Sequence, residues 1–205
     1  DNGAAIALYA ACKATLKVAD GQEITLHEQT NYPFEEKISF TVNTTEDVRF
    51  PFYLRIPSWC DQPELAINGK QKEIDPIPGK YIYIDRTWTD GDKVELNLPM
   101  KLSIRTWQVN KNSVSVNYGP LTLSLKINEE YIQKDSRSTA IYDSRWQEGA
   151  DATQWPSYEI FPKSPWNYAL VLDSKVPLKN FKVIRKEWPS DNFPFTVSNV
   201  PLEVK

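Results

Sequence analysis

The sequence predicts an all-β fold: two consecutive antiparallel β-sandwich units with a long irregular aromatic-rich loop. Three observations lead there. Apolar residues alternate with polar ones at spacing two in run after run, turn-forming pairs recur at short intervals, and fifteen prolines in 205 residues accompany no sustained 3.6-residue period. Helix should be scarce.

The opening AAIALYAACKATLK is alanine-rich and would score as helix on intrinsic propensity. Propensity is a weak prior in an all-strand neighbourhood, and the segment is read as strand. LRIPSWC (54 to 60) reads as a strand running into an edge ended by proline, with Leu54 and Ile56 facing one way and Arg55 the other. Trp59 is expected to cover the end of the sandwich. Asn68-Gly69, between LAI and KQKEID, marks a hairpin, since both residues tolerate the positive φ of a tight turn. YIYIDRTW (81 to 88) and KVELNLP (93 to 99) flank Asp90-Gly91, so 80 to 98 reads as a second hairpin. KLSIRTW (101 to 107) is taken as the crossing between sandwich units, with the first spanning 1–107 and the second 108–205. SVSVNYGPLTLSLKI (113 to 127) fits either a strand pair or one bent strand.

Residues 128 to 164 break the rhythm, and irregular loops beyond ~15 residues are uncommon unless functional, packed or disordered. Tyr131, Tyr142, Trp146, Trp155, Tyr158 and Phe161 argue against disorder, because aromatic side chains are depleted in segments that never pack. WNYALVLD (166 to 173) reads as a buried strand, and FKVIRKEW (181 to 188) as another with Lys and Arg outward. On this reading Trp88 and Trp166 are buried, whereas Trp146 and Trp155 are partly exposed.

Chemistry is sparse. A net charge of −3 with scattered Lys and Arg lacks the basic stripe of a nucleic-acid binder, so nucleic acid is not an expected partner. No apolar run approaches the ~20 residues that span a bilayer, and the first residues lack the pattern of a signal peptide, which leads to the expectation of a soluble chain without a membrane partner. His27, the single histidine, lies in the strand-like ITLHEQT. Cys12 and Cys60 have no CxxC spacing, and Arg55 stands roughly 17 Å from Cys60 along an extended run, so neither a Cys-His site nor a zinc site is expected. Glu35-Glu36 and Asp90-Asp92 read as turn residues, since glycosidase carboxylates must face each other across ~5 to 9.5 Å. The expectation is therefore no catalytic residue, no cofactor and no metal. Asn43-Thr44-Thr45 matches a glycosylation triplet that chance also supplies.

Taken in order, QTNYPFEEKISFTV, FYLRIPSWC, LAINGK, GKYIYIDRTWTDGDKVELNLPM, YGPLTLSLK and FPKSPWNYALVLD resemble the C-terminal part of the β-L-arabinofuranosidase-like glycoside hydrolases, family 127 and its relatives. The run from IPSW through NGK to W-x-x-GD-x-V-x-L-x-LPM is the most specific part. The resemblance implies a preceding all-helical barrel that carries a glutamate acid/base and a zinc-bound cysteine nucleophile, in a bacterial parent that is periplasmic or secreted. No motif of that barrel occurs here, and Cys60 sits where the family has a small residue after Ser-Trp, so it does not match the nucleophile. PLEVK looks like the start of a strand that relatives continue, which would make the second sandwich a truncated one. The resulting expectation is a non-catalytic accessory part that buttresses the barrel, with Trp146, Trp155 and Tyr158 as candidates for barrel docking or glycan contact. The rival readings are a carbohydrate-binding module that uses exposed Trp and Tyr, and an enzyme working through His27 or Cys60.

Overall fold

The computed structural model describes residues 2–139, 146–173 and 175–205. Tyr142 lies outside the described residues. Sixteen strands follow one another among them: β1 (Ala4–Ile6), β2 (Cys12–Val18), β3 (Gln22–Thr30), β4 (Lys37–Thr44), β5 (Val48–Arg55), β6 (Glu64–Ile67), β7 (Lys70–Lys72), β8 (Tyr81–Trp88), β9 (Asp92–Asn97), β10 (Leu102–Trp107), β11 (Ser113–Tyr118), β12 (Leu121–Thr122), β13 (Glu129–Lys134), β14 (Ser157–Pro162), β15 (Val183–Arg185) and β16 (Leu202–Val204). One helical turn, α1 (Ser136–Thr139), and a 3-10 turn at Gln108–Asn110 accompany them. The fold is all-β as the alternation predicts, and none of these helices is long and apolar enough to cross a membrane.

The chain divides into two compact units, residues 1–123 with 177–205, and residues 124–176. In the first, a six-stranded antiparallel sheet in the order β2-β3-β4-β9-β6-β7 faces a three-stranded sheet β1-β5-β8, whose first pair is parallel. Spacing two places Ile38, Phe40 and Val42 of β4, and Phe50, Phe52 and Leu54 of β5, in one core. Trp88 fills its centre, fully buried, and satisfies its indole N–H by donating to the Phe50 carbonyl at 3.0 Å. Such a donor needs a partner once it is buried. The alanine-rich opening forms β1 and β2, so pairing overrides helical propensity.

Asn68 (φ 51°) and Gly69 (φ 74°) make the tight turn between β6 and β7, as their chemistry requires. Asp90-Gly91 does something else. β8 pairs with β5 and β9 with β4 and β6, so the expected 80 to 98 hairpin is an arch that carries the chain from one sheet to the other. The turn is tied to β4: Gly91 N–H donates to the Val42 carbonyl at 2.8 Å, and the Asp90 carboxylate accepts from Asn43 Nδ2 and Thr44 N–H. A positive φ reverses the chain in either case, and those hydrogen bonds select the sheet it joins.

LRIPSWC behaves as its pattern implies. Leu54 and Ile56 are buried, pairing ends at Arg55, and Cys60 N–H closes a turn onto the Pro57 carbonyl. Beyond it, β10, β11 and β12 form an antiparallel sheet, the strand-pair alternative for 113 to 127. KLSIRTW is strand β10, and position 107 falls inside the first unit. A second core joins Phe34, Met100, Tyr118 and Leu202, with Val183 and Trp188 packed against it. Arg185 anchors this region by donating to the Phe34 carbonyl and the Tyr118 hydroxyl. The strand expected over 181 to 188 is only Val183–Arg185, paired with β16; Lys186 N–H carries the ladder one step further onto the Pro201 carbonyl, where proline has no N–H to donate in return, and Trp188 packs on Phe34.

The second unit corrects two expectations. The ends of the supposed irregular loop pair as β13 and β14, in register from Glu129 opposite Pro162 to Lys134 opposite Ser157. Residues 166 to 173 form no strand, and Trp166 is 62% exposed instead of buried. Apolar alternation gives a segment a face to bury, but a strand also needs a neighbouring edge to pair with.

Candidate functional surfaces

The chemistry-bearing residues are held apart. His27 projects outward from β3 and is exposed, opposite Lys13 and Thr41. Cys60 is buried in the sandwich core, and its burial pushes the thiol pKa up, the opposite of an activated nucleophile. The two cannot form a dyad across the sheet. Cys12 is exposed at the start of β2, with Sγ 4.0 Å from a Glu28 carboxylate oxygen.

Glu28 is an unusual acid. Its inward position on β3 leaves it 4% exposed, and desolvation pushes its pKa up to about 7 despite the hydrogen bond it accepts from Ala10 N–H at 3.0 Å. A raised carboxyl pKa suits a general acid, but this carboxyl is taken up by the Ala10 N–H and the Cys12 thiol beside it. Other acids serve the fold. Glu36 accepts from Met100 N–H and lies 3.6 Å from Arg185. For buried Asp92, burial works against the charge, but hydrogen bonds from Thr89 N–H and Asn68 Nδ2, with Arg86 beside it, hold its carboxyl below the usual range.

The zinc that the family resemblance implies for the preceding barrel finds no ligand set among the described residues. Among the described residues no three His, Cys, Asp or Glu side chains come together, and the two cysteines differ in both place and burial.

Surfaces offer more. In the second unit Trp155 is 69% exposed, Tyr158 is exposed on β14, and Trp146 is half-buried. Tyr158 meets Tyr131 of β13 edge to face at 6.1 Å, but Trp155 and Trp146 lie outside the paired strands. Tyr131, Tyr158 and Ile160 share one hairpin face, while Phe161 and Ile132 lie on the other, beside the Lys134–Glu159 and Lys163–Glu130 ion pairs. In the first unit, Tyr53, Tyr81 and Tyr83 stand on the outer face of the three-stranded sheet, with the Tyr53 and Tyr83 rings 5.2 Å apart. Nothing in the composition marks these three as functional. YIYI carries a signal for them, since alternation that buries Ile82 turns both tyrosines outward.

Residues 3–100, the double-sheet part of the first unit, match the family described as "Beta-L-arabinofuranosidase, GH127 middle domain". Solved structures agree. A glycoside hydrolase is 31% identical over 58% of this chain and 20% of its own, with a TM-score of 0.53. A GH127 β-arabinofuranosidase is 25% identical over 64% of this chain and 26% of its own, with a TM-score of 0.51. The GH127 β-L-arabinofuranosidase from Geobacillus stearothermophilus T6 shares the fold over 79% of this chain and 30% of its own, at 22% identity and a TM-score of 0.55. The chain thus spans a fifth to three tenths of the length of these proteins. No curated protein matches it.

Proposed function

We propose that the chain is a non-catalytic β-sandwich portion of a β-L-arabinofuranosidase-like glycoside hydrolase, and that it supports a catalytic domain by packing against it. The family match over residues 3–100 carries this reading. Its chemistry agrees with a supporting role: the single histidine is solvent-facing, one cysteine is a core residue, and the acids with hydrogen-bonding partners hold turns and strand ends together.

The second unit supplies the docking surface on this proposal. An isolated two-stranded hairpin is marginal in water, and β13-β14 exposes aromatic and aliphatic side chains on both faces. Trp155 and Tyr158 would seat in the catalytic domain, since large aromatics contribute most when desolvated at the centre of an interface. Titration calorimetry against a separately expressed GH127 catalytic domain tests this. Saturable binding that weakens at least tenfold in Trp155→Ser/Tyr158→Ser is expected; no binding, or equal binding by the variant, would remove the docking role.

A further inference from the structure

The two outer faces of the first unit differ in kind. On the six-stranded sheet the outward positions are mostly polar, as with Thr15, Thr25, Thr41, Ser39, Lys93 and Glu95, and none is Phe, Tyr or Trp. The outer face of β1-β5-β8 carries three tyrosines on adjacent strands. Tyr81 is 46% and Tyr83 59% exposed, and register sets Tyr53 opposite Tyr83, Arg55 opposite Tyr81 and Ala5 beside Tyr53. Next along the same face, Arg49 grips Asp85 with two hydrogen bonds, Nε to Oδ1 at 3.2 Å and Nη2 to Oδ2 at 3.0 Å. The bond from Arg49 holds the Asp85 carboxyl below the usual carboxylate range.

Tyrosine is a good strand former, and a cross-strand ring pair helps hold a sheet together. That accounts for Tyr53 against Tyr83. It leaves Tyr81, opposite Arg55, 46% exposed, and it does not explain why the tyrosines are confined to one face.

We propose that this face is a platform for neutral polysaccharide, with the tyrosine rings stacking on sugar rings and the Arg49–Asp85 pair hydrogen-bonding their hydroxyls. Three properties fit that occupant. Aromatic faces take the apolar faces of sugar rings, and successive outward positions on a strand stand ~7 Å apart, so the row is long enough for a short stretch of chain. The charges are largely paired with one another, which gives no grip on a polyanion. The area is small: three strands of at most eight residues cover roughly 400 Å², about half of the ~800 Å² per partner that a stable protein interface needs. The inference is independent of the docking reading, which uses the other unit.

Affinity electrophoresis of the whole chain in gels containing soluble arabinan, arabinogalactan or dextran tests it. At least one gel should retard the chain, and Tyr81→Ala/Tyr83→Ala should weaken that retardation at least tenfold in association constant. Thr25→Ala/Thr41→Ala, on the opposite sheet, and Trp155→Ser/Tyr158→Ser should be retarded like the wild type. If the double tyrosine variant lacks a cooperative melt, Tyr83→Ser replaces it. Free migration of the wild type in all three gels would overturn the proposal. So would undiminished retardation of the tyrosine variant, or equal loss in the Thr25/Thr41 variant.

Discussion

Glu28 shows how one buried side chain makes the stability of the sandwich depend on pH. Its carboxyl titrates near 7 in the folded chain and near 4.5 otherwise, so the folded state holds the proton more tightly. That contribution is fully present below pH 4.5 and is lost as pH rises through 7. The wild type should therefore lose about 2–4 kcal/mol between pH 4.5 and 8.5 from this group alone. Glu28→Gln, neutral throughout, should flatten the dependence, and urea melts of both proteins across that range measure it. A wild-type stability that rises over the same interval would contradict the burial argument. Gly119 makes a second residue-scale case. It turns between β11 and β12 at φ 53°, and a Cβ there would meet Met100 Cγ at 2.6 Å. Gly119→Ala should destabilise by about 1–3 kcal/mol through strain at positive φ and overlap with the second core. A urea midpoint unchanged from wild type would show that Met100 simply moves aside.

At the scale of elements, the strands that bury one face were legible and those that bury neither were not. β4, β5, β8 and β9 alternate because a core waits on one side, and their apolar positions are the buried ones. β13 and β14 show no such alternation because both of their faces are exposed, so residues 128 to 164 read as a loop. The arch at Asp90-Gly91 was misread for a different reason: a turn pair fixes the backbone, and the sheet that the chain then joins depends on contacts 46 to 49 residues away. Hydrogen exchange separates these classes. Amides of β4 and β9, interior to the six-stranded sheet, should exchange only on global unfolding, whereas those of β13 and β14 should open locally and exchange at least a hundredfold faster. Equal protection would mean that the hairpin is held as firmly as the core.

Across the whole molecule, what the sequence disclosed about function came from an ordered set of sandwich motifs, IPSW, NGK and W-x-x-GD-x-V, which lie at a strand end, a hairpin turn and the arch. These are structural positions, so they carry family and fold without carrying chemistry. The surface tyrosines do not stand out in the sequence because an outward Tyr on a strand is ordinary there and becomes notable only beside Arg49–Asp85 and against an opposite face without Phe, Tyr or Trp. On the proposed reading, no catalytic centre is built from the described residues. Incubating the purified chain with 4-nitrophenyl β-L-arabinofuranoside, with and without added zinc, tests it most directly. Nitrophenol release at the buffer rate in both cases is the predicted result; release above that rate, abolished by His27→Ala or Cys60→Ala, would contradict it.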